Sequence, residues 1–155
     1  MLSIIEKFFS EVKTSDQKMT LVEKRKIACV LLLEVGLADD GLCEEELSKI
    51  CDLMIKNWSI DRNLIDEVIN YSRFRIENSV SFYEFTKSVN DLMSYEEKFD
   101  LIKNMWEIAF VDKYLDKYEE FAIRKIANLI YISHQDFIKA KIEAKKIMMI
   151  NIGEL

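Results

Sequence analysis

From about Lys18 the chain is polar for two turns and then, from Ile27 to Ala38, apolar on every side except at Glu34. A helix that buries one face shows an apolar stripe, whereas one that is apolar all round must be enclosed, so this segment is predicted to be the central helix of the fold. Ahead of it, Leu2, Ile5, Phe8, Phe9 and Val12 fall on one stripe and predict an amphipathic arm from Leu2 to Val12. After it, apolar residues recur at three and four positions in six further stretches. These predict a third helix to about Asn57, a fourth from Ser59 through Leu64, Val68, Tyr71 and Phe74, and a short fifth through Phe85 and Met93, set off by Ser79 to Ser81. A sixth starts at Ser94 and runs through Leu101, Met105 and Phe110, a seventh ends near Tyr131, and an eighth starts at Ser133. Ser94 and Glu97 have the three-residue spacing of a capping box, in which each side chain satisfies the other's orphan backbone donor. The expectation is an all-α, single compact bundle of about seven to eight helices.

Composition agrees with that reading. The chain has no proline and only three glycines among 155 residues, so turn chemistry for hairpins is scarce and long helices meet little penalty. Half of it is apolar, enough for one sizeable core. One domain over 1–155 is expected, with a helical arm over 1–22, a core over 23–146 and a tail over 147–155.

With 22 basic and 28 acidic residues the net charge is −6, which disfavours nucleic acid and anionic lipid and favours basic partners or cations. Cys29, Cys43 and Cys51 form no CxxC pair and His134 is the only histidine, so neither a disulfide framework nor a tetrahedral zinc site is indicated. No nucleophile is paired with a base, and no enzyme is expected. The N-terminus lacks the basic flank and uninterrupted apolar stretch of a signal peptide, and the run IACVLLL is too short to span a membrane. A soluble cytoplasmic protein is the expectation.

The sequence repeats itself at an offset of 73: Glu34 falls on Glu107, Val35 on Ile108, Asp39 on Asp112, Leu42 on Leu115, Glu46 on Glu119, Ile50 on Ile123 and Leu53 on Ile126. Each copy reads as helix, acidic turn, helix. The period is too long for a solenoid unit, so two hairpins related by a pseudo-twofold axis within one domain are expected.

An apolar helix ending in an Ala-Asp-Gly pattern, with the glycine displaced by one position to Gly41, then a hydrophobic residue and a glutamate opening the next helix, resembles the TerB-like tellurite-resistance family, whose domain also occurs on the N-terminal side of some membrane-anchored J-domain co-chaperones. The resemblance covers roughly Glu23 to Lys146. It implies an all-helical, duplicated cytoplasmic domain of bacterial stress and phage-defence systems, without established catalysis. It also implies metal binding at the acidic turns, through Asp39 and Glu46 in the first copy and Asp112 and Glu119 in the second. Asp40 and Lys113 depart from the family pattern, standing where glycine is usual.

The residues themselves leave alternatives open. Glu46 and Glu119 lie three positions after Cys43 and Asp116, where a first-turn carboxylate is favoured by the helix dipole, so capping alone accounts for them as well as a metal does. Asp39 and Asp112 end the preceding helix, where a negative charge is disfavoured; a hard cation such as Ca²⁺, Mg²⁺ or Mn²⁺ would compensate it, and so would the backbone bonds of an ordinary aspartate turn. Glu34 and Glu107, as buried carboxylates, call for an ion pair with an arginine such as Arg25, Arg62, Arg73 or Arg124, for backbone donors, or for a share in a metal shell. The last helix carries Lys139, Lys141, Lys145 and Lys146 near the apolar IMMINI, a face that either docks on its own core or serves a homodimer or an unidentified protein partner. Two functions follow: an ion-responsive regulatory module, or a protein-interaction scaffold whose acidic turns are helix caps.

Overall fold

The computed structural model describes residues 16–38, 41–78, 83–111 and 115–151. Among them are seven α-helices and no strand: α1 Asp16–Gly36, α2 Glu44–Lys56, α3 Ile65–Glu77 after a 3₁₀ turn at Arg62–Leu64, α4 Tyr83–Leu92, α5 Tyr95–Ala109, α6 Lys117–Leu129 and α7 His134–Asn151. The protein is all-α. The arm expected over Leu2 to Val12 lies outside the described residues, and the last helix continues through 147–151, a stretch expected to be tail.

Helix α1 is the spine. Ile27 to Leu33 and Val35 are all buried, and α2, α3, α4, α5 and α6 each pack on it. The second enclosed helix is α5, where residues 101, 102 and 104–109 are buried. It starts at the expected box: Ser94 Oγ accepts from the Glu97 amide at 3.2 Å and Glu97 Oε1 accepts from the Ser94 amide at 2.9 Å. Glu97 also takes Lys24 of α1 at 3.0 Å; burial would raise its carboxyl, and these donors hold it below the ordinary value instead.

The packing has the symmetry of the repeat. α1 meets α2 as α5 meets α6; α1 and α5 meet each other; and each copy's second helix touches the other copy's first, α2 on α5 and α6 on α1. The likeness extends one helix further than the sequence suggested, since α3 packs on α1 as α7 packs on α5. The buried positions Ile65, Val68 and Ser72 of α3 answer to Phe137, Ala140 and Ala144 of α7 at an offset of 72. The offset drops by one at the ends of α2 and α6, where Ser59 and Tyr131, at φ 55° and 62°, take the left-handed conformation that turns the chain into the next helix. After Tyr131 the Ile132 amide returns to the Ala127 carbonyl at 2.9 Å, closing the end of α6 as a Schellman turn.

The α5–α7 seam is close because Ala140 and Ala144 leave room for it. Trp106, fully buried, stacks on Phe110 at a centroid distance of 5.7 Å and packs tilted against Phe137 at 5.2 Å, and the Lys141 ammonium sits 5.0 Å over its ring. Lys139 likewise lies over Phe99. Part of the basic face of the last helix therefore docks on its own core.

Two substitutions test these turns in opposite directions. Gly36 ends α1 where a Cβ would come within 2.5 Å of Leu42 Cδ1 and 2.9 Å of buried Ile50 Cδ1, so Gly36→Val is expected to lower stability by about 1–3 kcal/mol. Tyr131 is 76% exposed at a position suited to glycine, so Tyr131→Gly is expected to relieve about 1 kcal/mol of backbone strain and raise the thermal midpoint by about 2–4 °C. Calorimetry of both variants against the parent checks the two signs.

Candidate functional site

The candidate residues sit where α2 and α6 begin. α2 is capped by Cys43, whose Sγ accepts from the Glu46 amide at 3.4 Å. α6 is capped by the residue 73 positions on, Asp116, which accepts from the Tyr118 and Glu119 amides at 2.7 and 3.2 Å. Three glutamates, Glu44 to Glu46, follow in the first turn of α2, and Glu119 and Glu120 in that of α6, where the amide ends of the helix favour them. The Cys43 thiol is pushed up to about 11, first by desolvation and then by hydrogen bonding to the Glu46 carboxylate, and buried Cys29 is raised to about 12. Neither is a reactive thiolate at neutral pH.

The two third-position glutamates behave unlike ordinary caps. Glu44 and Glu45 are exposed, but Glu46 is 2% exposed and Glu119 1%. Helix starts usually keep such carboxylates in water. Glu46 Oε2 has no hydrogen-bond partner among the described residues, in contrast with Glu97, whose carboxylate completes its box. Asp39 and Asp112 lie outside the described residues, and no group of three His, Cys, Asp or Glu side chains disposed to hold a metal occurs among those described. The structure thus places Glu46 and Glu119 at equivalent buried helix starts. A buried carboxylate oxygen of this kind is a donor of the type that hard cations take.

Glu107 has a different role. Its Oε1 is 3.3 Å from Lys49 Nζ of α2, with side chains 6% and 15% exposed, and its Oε2 accepts from Asn104 Nδ2 at 3.1 Å. Asn104 in turn accepts from Trp58 Nε1 at 3.0 Å. The partner is a lysine of the other hairpin, not one of the four arginines that the sequence suggested. Glu34 mirrors it. Burial raises its carboxyl above the usual value of 4.5, and the Lys125 charge of α6, again from the other hairpin, opposes the rise. Glu107 therefore serves the joint between the copies. Lys49 and Asn104 were missed in the sequence, although Asn104 lies one turn before Glu107 on an otherwise apolar helix, a pairing that could have drawn attention to it.

With this arrangement in view, comparison with known proteins is informative at the level of family. The family model described as "Tellurite resistance protein TerB" matches residues 24–142. The chain belongs to the TerB family. Neither the curated proteins nor the solved structures gave a match. The match to TerB spans all of α2 to α6, and so contains both acidic turns and the whole Lys49–Glu107 joint. No helix among the described residues of this TerB domain is long and apolar enough to cross a membrane.

The raised Glu34 carboxyl sets a sign. Protonation is favoured in the folded state, so the group's contribution is fully present below 4.5 and is lost as pH rises through the raised value. Glu34→Gln is expected to raise the thermal midpoint at about pH 7, with the gain shrinking toward pH 4, in unfolding scans across that range.

Proposed function

We propose that this TerB domain is a non-catalytic, cytoplasmic binding or regulatory module of a bacterial stress-response system, and that its two acidic turns take divalent cations. The observation that supports this is the burial of Glu46 and Glu119 at equivalent helix starts, with one Glu46 oxygen left without a hydrogen-bond partner among the described residues. Desolvating a carboxylate without a counter-charge costs several kcal/mol, so the orphaned Glu46 oxygen calls for compensation. In this reading Glu46 joins Asp39 at the first turn and Glu119 joins Asp112 at the second. Bound Ca²⁺, Mg²⁺ or Mn²⁺ would supply positive charge and draw each turn onto its helix. The hairpins share a joint, so tightening one turn is felt by the other, and association with a protein partner is the output.

A plain interaction scaffold is the second reading. It is favoured by Tyr118 and Phe121, one turn apart on α6 and 55% and 67% exposed, a pair of large aromatic side chains of the kind that anchor protein interfaces.

Thermal unfolding of metal-stripped protein, at matched ionic strength, separates the two. Ion binding at about a hundredfold excess over the dissociation constant is expected to add roughly 2.7 kcal/mol, a rise of about 5–10 °C with one of the three ions. Asp39→Asn, Asp112→Asn and Glu46→Gln are each expected to diminish that rise. A midpoint indifferent to all three ions would leave the scaffold.

A further inference from the structure

The two copies differ in what they present outward. Along α2, the part-buried Leu47, Cys51 and Ile55 form the floor of an open groove of about 420 Å³, closed on the far side by Ile65 of α3. Its rim carries Glu44, Asp52 and Asp66, against the single base Arg62. An apolar floor with an acidic rim is the complement of a helix whose exposed ridge is apolar and basic.

The chain carries such a ridge. On α7, Ile138 and Ile142 are 36% and 51% exposed, and Lys145 and Met149 continue the same stripe at spacings of four, three and four, with exposed Lys146 beside it. Lys139 and Lys141 are engaged over rings of their own core, whereas no ion pair occupies Lys145 or Lys146 among the described residues. The two surfaces also match in length. Glu44 to Ile55 and Ile138 to Met149 each span eleven steps of helix, about 16 Å.

We propose that a second copy of this chain fills the groove: the α7 ridge of one protomer lies in the α2–α3 groove of its partner, and the exchange is reciprocal. The argument for a closed pair is that groove and ridge adjoin. Glu44, at one end of the groove, and Met148, the buried neighbour of Met149 at the C-terminal end of α7, line the same shallow cleft beside Val111. A twofold axis at that junction lets both protomers make the contact at once, whereas well-separated surfaces would build an open chain. In a chain of net charge −6, Lys145 and Lys146 are a local exception, and an acidic rim is the surface that attracts them. The proposal does not depend on cation binding at the turns.

Sedimentation velocity of the whole chain tests it. At about 0.1–0.5 mM protein and 50 mM salt, particles of twice the chain mass are expected, with the dimer fraction falling as salt rises to about 500 mM. Ile142→Glu alone, Lys145→Glu with Lys146→Glu, and Asp52→Lys with Asp66→Lys are each expected to give monomer, with helical content and thermal midpoint near the parent's. A chain combining the two charge-reversed pairs should dimerise again, because ridge and rim have exchanged signs. A parent that stays monomeric under these conditions overturns the proposal, as does a dimer that survives Ile142→Glu, growth into long polymers, or failure of the combined reversal to restore the pair.

Discussion

The joint between the hairpins rests on one buried ion pair. Glu107 is nearly fully enclosed on α5, and the charge that makes this tolerable comes from Lys49, which belongs to the other hairpin. A buried carboxylate left alone costs far more than its pair gains, so removing Lys49 of α2 would leave an uncompensated charge on α5. Asn104 and Trp58 extend the bond: the amide holds the second carboxylate oxygen and fixes the indole at the end of α2. Burial raises the Glu34 carboxyl, and the Lys125 charge of the other hairpin only opposes that rise. The second hairpin thus carries an acid whose compensating charge comes from the first, a reason for the duplicated unit to act as one body.

That frame fixes where the turns are. α1 and α5 lie together at the centre, and α2 and α6 cross from one copy to the other, so the starts of both second helices are held by contacts far from the turns themselves. Cys43 and Asp116 accept from the amides of Glu46 and Glu119 at those starts. The copies have also diverged on the outside. Positions that are Glu44, Leu47 and Cys51 along α2 become Lys117, Glu120 and Arg124 along α6. One framework therefore presents an acidic groove on one side and a more basic, aromatic surface on the other.

Much of this was legible in the residues. The all-round apolar run ending at Ala38, the Ser94 box and the matched acids at an offset of 73 specified the spine, the start of α5 and the duplication, because each is a local pattern with a local cause. The third helix of each repeat was not seen, since the first copy has one residue more between Met54 and Ser59 than the second has between Ala127 and Tyr131, and identity at a fixed offset fades there. The fourth helix was expected from Ser59, but Ser59 is left-handed and α3 begins only at Ile65, after a short 3₁₀ turn. A partner such as Lys49 is a tertiary fact: no spacing links it to Glu107, and an arginine was expected in its place. The burial of Glu46 and Glu119 was equally out of reach, because a first-turn glutamate reads the same whether it faces water or the core.

The measurement that bears most directly on the joint is a double-mutant cycle with Lys49→Met and Glu107→Gln, followed by denaturant unfolding. If the pair joins the hairpins, the single variants are each destabilised and the double variant loses less than their sum, with a coupling of about 1–3 kcal/mol and one cooperative transition retained in the parent. Losses that add to within about 0.5 kcal/mol would contradict it, and would mean that apolar packing of α1 on α5 holds the two copies together without help from the buried charges.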